Sequence, residues 1–263
     1  MKKHLLKLYV ILLFFFFTNS RAQTSFSHEV GVFFGPASFQ TDMGLSTEFA
    51  AANQATLAFG VSYYLKFFGS QYNWRSGSSF FSEHFKLKTE LSYINNTNVG
   101  FEGDVGSGET AEKLDAMKAQ IKLFSAGLNL EYYIFELEDY TSFYRSSGTV
   151  NPFVSIGVHY SYSQPDILVD DVSLKGQFEP YTQLIDKWQE GAVFLDSENI
   201  FSASAGLGVR FGLERLDFSL EGRYQHFFSD VVEGLNAPDD PANKSNDTMV
   251  FVNAGVIYVF GKY

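Results

Sequence analysis

The chain has 263 residues, with 30 acidic against 19 basic side chains, no cysteine, 29 Phe, 15 Tyr and 22 Gly. The lack of cysteine excludes disulfides, thiol chemistry and the lipidated cysteine of a lipoprotein. The acidic balance excludes a nucleic-acid binder, whose affinity rests on clustered Lys and Arg.

The amino terminus reads "MKKHLLK", then "LYVILLFFFF", then "NSRAQ". A basic start, a short apolar run and a small-residue exit predict a signal peptide over 1–22, cleaved after Ala22. The run from Leu8 to Phe17 is about half the roughly 20 residues a spanning helix needs, so a retained anchor is not expected. Residues 23–263 then form one exported domain. Loss of Lys2, Lys3, Lys7 and Arg21 leaves 15 basic against 30 acidic residues, a net charge of −15.

Eight segments alternate with the period of a β-strand, placing successive side chains on opposite faces. The first is "HEVGVFFG" (28–35), with Val30, Val32 and Phe34 on one row. "TLAFGVSYYLKFF" sets Leu57, Phe59, Val61, Tyr63, Leu65 and Phe67 against Thr56, Ala58, Gly60, Ser62, Tyr64 and Lys66. "FSEHFKLKTELSY" opposes Phe85, Leu87, Thr89, Leu91 and Tyr93 to His84, Lys86, Lys88, Glu90 and Ser92. The fourth segment, near 120–135, opposes Phe124, Leu128, Leu130 and Tyr132 to Ser125, Gly127, Asn129 and Glu131.

"NPFVSIGVHYSYS" follows, with Val154, Ile156, Val158, Tyr160 and Tyr162 against Ser155, Gly157, His159 and Ser161. "FSASAGLGVRFG" sets Phe201, Leu207, Val209 and Phe211 against Ser202, Ser204, Gly206, Gly208 and Arg210. "LDFSLEGRYQHFF" (216–228) sets Leu216, Phe218, Leu220 and Tyr224 against Asp217, Ser219, Glu221, Arg223 and Gln225. "VFVNAGVIYVFGKY" closes the chain with Val250, Val252, Ala254, Val256, Tyr258 and Phe260 on one row.

In a soluble sandwich or lipocalin-like barrel the oily rows would face a core. Here they are too uniformly large for a small closed core, and the opposite rows of Gly, Ser and charges would make a poorly protected surface. The expected fold is therefore all-β: an eight-stranded antiparallel transmembrane barrel, oily rows to lipid and small or charged rows inside.

An even strand count leaves both ends on one side of the membrane. The connections 36–55, 95–119, 163–199 and 230–248 are then the extracellular loops. The connections 69–79, 136–149 and 212–215 fall in the periplasm, and only the last is tight. The first two are aromatic as well as polar, a composition that suits either an ordinary surface or docking of a periplasmic protein. Two loops read as helical, "ETAEKLDAMKAQ" (109–120) and "EPYTQLIDKW" (179–188). In the second, Tyr181, Leu184, Ile185 and Trp188 share one helical face, which is expected to cap the barrel mouth or lie on its rim.

The inner rows carry Lys86, Lys88, Glu90, Glu131, His159, Arg210, Glu221 and Arg223, together with His84. Buried charges need partners, so these residues are expected to form a structural network plugging the lumen. The alternatives are a narrow solute pore or a lipid-modifying enzyme that gathers His159, Ser161 and Glu131. No GxSxG, HExxH or phosphate-binding glycine loop is present, and no catalysis is expected.

Asp166, Asp170, Asp171, Asp239, Asp240 and Asp247 are hard oxygen ligands of the kind that bind Ca²⁺. Their spacing does not fit an EF-hand, so they are read as solvated loop tips and no cofactor is assigned.

"HEVGVFFGPASFQTDMG", "FFSEHFKLKTELSY" and the closing "NAGVIYVFGKY" resemble a family of small outer-membrane barrels from Bacteroidota similar to PorG. PorG-like barrels accompany the type IX secretion machinery. The resemblance implies an outer-membrane location, lipid contacts, and a non-enzymatic role tying periplasmic or outer-membrane proteins to the barrel. It singles out no contact residue.

Overall fold

A computed structural model describes residues 26–41, 55–67, 79–101, 107–137, 148–213, 215–236 and 246–260. The expected signal peptide, Asp239, Asp240 and the final Tyr263 lie outside the described residues. Eight long strands follow the alternating segments: β1 (Phe26–Gln40), β2 (Thr56–Phe67), β3 (Phe85–Gly100), β4 (Met117–Tyr133) and β5 (Thr149–Val169) in the first half. A two-residue strand, β6 (Val172–Ser173), precedes β7 (Glu198–Gly212), β8 (Leu216–Phe227) and β9 (Thr248–Phe260).

Each long strand pairs antiparallel with its neighbours in the order β1-β2-β3-β4-β5-β7-β8-β9, and β9 pairs back onto β1. The sheet therefore closes into a barrel, which leaves no unpaired edge for lipid to meet. The tight connection near 212–215 is bridged by Leu213 N–H donating to Leu216 O at 3.0 Å.

The exposed rows are the oily ones. Val32, Phe59, Leu91, Leu128, Ile156, Leu207, Leu220 and Val252 all stand outside, while Lys86, Lys88, Glu90, Glu131, Arg210, Glu221 and Arg223 are buried. This inversion of a soluble fold marks a transmembrane β-barrel, in which lipid covers the apolar belt.

The strands run longer than the sequence pattern marks, because their polarity exchanges part-way along. In β4 the outward side chains from Phe124 to Tyr132 are apolar, but Lys118, Gln120 and Lys122 take over that row at the loop end. Inward, Glu131, Asn129 and Ser125 give way to Leu123, Ile121, Ala119 and Met117. A tilted strand crosses a bilayer in roughly 9–11 residues. Beyond that length the wall meets water, and the oily row belongs inside. β5 makes the same exchange, with Gln164 and Asp166 outside and Ile167 and Val169 inside.

The protruding end encloses a hydrophobic core of Met117, Ile121, Leu123, Ile167, Leu174, Ile200, Phe227 and Met249. Tyr181, Leu184 and Trp188 pack into it, so the expected cap is present. Its shape differs from the expectation, however: 179–188 is not an α-helix but a series of turns ending in a 3₁₀ turn, Asp186–Trp188. Tyr181 N–H donates to Gln189 O and Leu184 N–H to Tyr181 O, folding the segment over its buried side chains. So short a helix is marginal by itself, and tertiary packing decides its form.

Two helices are seen elsewhere among the described residues. α1 (Phe80–His84) occupies residues read from sequence as the start of a strand. A capping box explains it: Ser79 accepts from Ser82 N–H, and the Ser82 hydroxyl accepts from Ser79 N–H. In α2 (Glu109–Asp115) the helix stops earlier than 120, because Met117 and Ala119 enter the inward row of β4, opposite Val169 and Ile167.

Candidate functional site: the charged lumen

Alternation turns one side chain in two toward the barrel axis, and the closed ring brings residues far apart in sequence face to face. Around the ring β3 and β8 lie on opposite sides, separated by three strands either way. Arg223 on β8 forks across to Glu90 on β3, with Nη2 to Oε2 at 3.0 Å and Nη1 on Oε1. Lys88 crosses the same diameter from β3 to Glu221 at 3.0 Å, and lies 3.1 Å from Glu90 and 3.9 Å from Glu131.

Glu221 is a hub. Besides Lys88 it accepts from Arg223 Nη2 at 3.0 Å, Ser155 Oγ at 2.9 Å and Asn253 Nδ2 at 3.4 Å. Four donors around one carboxylate satisfy its lone pairs, the condition under which a buried ion pair is tolerated.

A second layer lies toward the end of the barrel where β1 begins and β9 finishes. Glu29 on β1 accepts from Lys86 at 2.7 Å and from Arg210 Nη2 at 2.5 Å. Arg210 Nε also donates to Asp217 at 2.7 Å. The Tyr133 hydroxyl donates to Glu131 at 2.6 Å and accepts from Arg210 Nη1 at 3.4 Å, joining the two layers. Lys66 donates to the Leu137 carbonyl at 2.9 Å. A cavity of about 250 Å³ opens beside this layer, lined by Lys86, Tyr133, Phe135, Asn151, Arg210 and Asp217.

Aromatic faces cover the cations. The Lys88 ammonium lies 5.5 Å from the Phe33 ring centre and 5.8 Å from that of Tyr64, and the Arg210 guanidinium lies 5.2 Å from Tyr64. Such contacts offset part of the cost of removing a cation from water.

The grouping of His159, Ser161 and Glu131 that the enzyme alternative calls for is not formed. His159 Nε2 meets Ser204 Oγ at 2.9 Å, Ser161 is bonded to Ser125 at 2.7 Å, and Glu131 is held by Tyr133. His159 Nδ1 lies 3.7 Å from Glu90, whose oxygens are engaged by Arg223. Ser204 donates to Asn129 rather than standing ready for attack. The ring of His159 fits because Gly127 faces it across the strand pair: a Cβ there would lie 2.4 Å from Nδ1.

His84 is placed differently from the sequence reading. It ends α1, bonds the Tyr133 carbonyl at 2.8 Å and lies beside Phe80, away from the lumen charges. Among the acidic loop residues, Asp170 and Asp171 have positive φ (50° and 62°) and form the two-residue turn between β5 and β6. Asp171 pairs with Lys118, Asp166 accepts from Ser173, and buried Asp247 accepts from Val232 N–H. They serve the loop's own structure.

Glu29, Asp217, Tyr133, Tyr64 and Lys66 belong to the lumen contacts but were not among the candidates. For Glu29 the signal was available: it alternates with Val30, Val32 and Phe34, so it falls on the inner row. For Tyr133 the same signal exists: it follows the outward Tyr132 by one residue and shares the inner row of Glu131.

The sequence profile of a family described as a domain of unknown function, DUF6089, matches residues 3–179. The chain belongs to the DUF6089 family. No curated protein matches it. Among solved structures it is similar to Neisserial surface protein A, at 11% identity over 90% of this chain and 99% of that one, with a TM-score of 0.43. A major outer membrane protein from Thermus thermophilus matches at 9% identity over 90% and 100%, with a TM-score of 0.46. The outer membrane protein AlkL matches at 16% identity over 93% and 94%, with a TM-score of 0.37. The DUF6089 profile ends at residue 179, so it takes in β1 to β6 and leaves β7 to β9, which carry Arg210, Glu221 and Arg223, beyond its match.

Proposed function

We propose that this DUF6089 protein is a non-enzymatic outer-membrane barrel whose interior is structural and whose role is anchoring or assembly of other proteins. The observation that carries this reading is the Arg223–Glu90 fork across the full width of the lumen, backed by Lys88–Glu221 beside it. Ion pairs spanning the diameter occupy the path a solute would take, so the interior works as a brace. His159 meets Ser204 rather than Ser161 and is buried inside the lumen, not in a groove open to lipid, which speaks against the lipid-modifying alternative.

The partner class rests on the resemblance of the first, third and last strands to PorG-like barrels. On that reading the protein binds periplasmic or outer-membrane components of a type IX secretion assembly. Affinity purification of the tagged barrel from outer membrane in mild detergent tests it. Co-recovery of periplasmic ring components is the expected outcome, and recovery of the barrel alone sinks the anchoring role. His159→Ala is expected to leave outer-membrane lipid composition unchanged; an altered acylation pattern would revive the enzyme.

A further inference from the structure

Helix α1 does not extend the lumen or the protruding core. It lies at the end of the barrel where β1 begins and β9 finishes, outside the wall, between β2 and β3 in the chain. The capping box at Ser79 and Ser82 fixes its first turn. His84 Nδ1 on the Tyr133 carbonyl, and Leu137 N–H donating to Glu83 O at 2.7 Å, fasten it to β4 and the segment that follows. The helix is clamped, yet its two phenylalanines are left uncovered: Phe80 is 62% exposed and Phe81 45%.

These rings extend the lipid-facing rows. Phe81 stacks on Phe85 at 4.7 Å between centroids and meets Phe67, the last residue of β2, at 5.0 Å. Phe80 lies 6.3 Å from Tyr132, whose ring is 5.2 Å from Phe85. Phe67, Phe85 and Tyr132 are on the same outward rows as Leu65, Leu87 and Leu130 in the apolar belt. The five rings thus form one patch that begins on the membrane wall and ends on the helix.

We propose that α1 is an interfacial anchor, with Phe80 and Phe81 seated among phospholipids of the leaflet at this end of the barrel. Aromatic rings collect at the boundary between headgroups and acyl chains, where a flat apolar body meets a polar rim. Continuity with the belt selects lipid over a protein occupant: any sheet of lipid that covers Phe85 and Tyr132 reaches Phe80 and Phe81 next. A rigid helix at that depth fixes how far the barrel sinks, and therefore how far β4 and β5 rise on the other side.

The chain has no cysteine, so single substitutions carry a unique label. Full-length Phe80→Cys and Phe81→Cys, labelled with an environment-sensitive fluorophore, are refolded into phosphatidylcholine vesicles containing lipids with a nitroxide at a shallow or a deep acyl carbon. Leu220→Cys serves as the belt control and Phe178→Cys, on the far loop and 90% exposed, as the water control. Both helix positions are expected to be quenched more by the shallow nitroxide than by the deep one, and Leu220 the reverse. Labels at 80 and 81 that behave like position 178, quenched by aqueous iodide and by neither lipid, would overturn the anchor, since these vesicles contain no protein partner.

Discussion

Arg223 and Glu90 are 133 residues apart in sequence and meet in the middle of the barrel, each from a strand facing the other across its full width. Arg223 also grips Glu221 on its own strand, two residues away and on the same inner row. One guanidinium therefore ties opposite walls together while being held by a neighbour. Its five donors in a planar fork suit this geometry, which the point charge of a lysine would not reproduce.

Removing Arg223 leaves Glu90 buried with its bidentate partner gone and the single ammonium of Lys88, shared with Glu221, as its remaining cation. Arg223→Ala is expected to destabilise the folded barrel by about 3–5 kcal/mol, as breaking buried pairs does elsewhere, whereas Arg223→Met combined with Glu90→Leu is expected to recover most of the loss. Urea titration in detergent micelles, followed by the shift in gel mobility of the folded barrel, measures both. Equal losses in the single and double variants would mean the pair contributes nothing beyond volume.

The lumen brace also predicts conductance. In planar bilayers the native chain is expected to pass no steady ionic current, because Lys88, Glu90, Glu221 and Arg223 bridge the interior. Replacing all four with alanine vacates that layer and is expected to produce discrete open events. A native barrel that conducts continuously would contradict the brace and favour a pore.

Leu207 stands 71% exposed on the outward row of β7, in the belt. Leu207→Arg is expected to cost about 2–4 kcal/mol, the penalty for an arginine facing lipid near the bilayer centre. Lys122→Arg lies on the same kind of row in β4, but above the exchange of polarity, and is expected to be neutral. Unfolding titrations in lipid vesicles compare the two.

Gly157 shows how tightly the inner wall is packed. A Cβ at this position would lie 2.0 Å from Asn129 Oδ1 and 2.9 Å from Ser204 Oγ. Gly157→Ala is expected to displace both groups and lose about 1–3 kcal/mol, the usual range for overpacking. Asn129→Ala makes room, so the double variant is expected to regain part of the loss. A double-mutant cycle with no coupling would show that the contact is not shared.

The barrel was legible because lipid and lumen impose opposite demands on alternate residues, and every spanning strand repeats that demand. The inner position of Lys86, Lys88, Glu90, Glu131, His159, Arg210, Glu221 and Arg223 follows from period two alone. Which of them touch does not: β3 and β8 meet only because the ring closes, and no local pattern encodes a diameter. The same limit hid the exchange of His159 from Ser161 to Ser204, since the nearer hydroxyl depends on the register between β5 and β7. The segments 81–84 and 179–188 went astray for local reasons. A serine capping box outweighed strand alternation in one, and the demands of a buried cap outweighed helical spacing in the other.

By itself, then, the sequence determined that strands of this chain alternate between an oily and a polar row, because backbone geometry sends successive side chains to opposite faces. Tertiary structure decided where along each strand the oily row changes sides. That point depends on where bilayer gives way to water, which the placement of the whole ring sets and no single strand can.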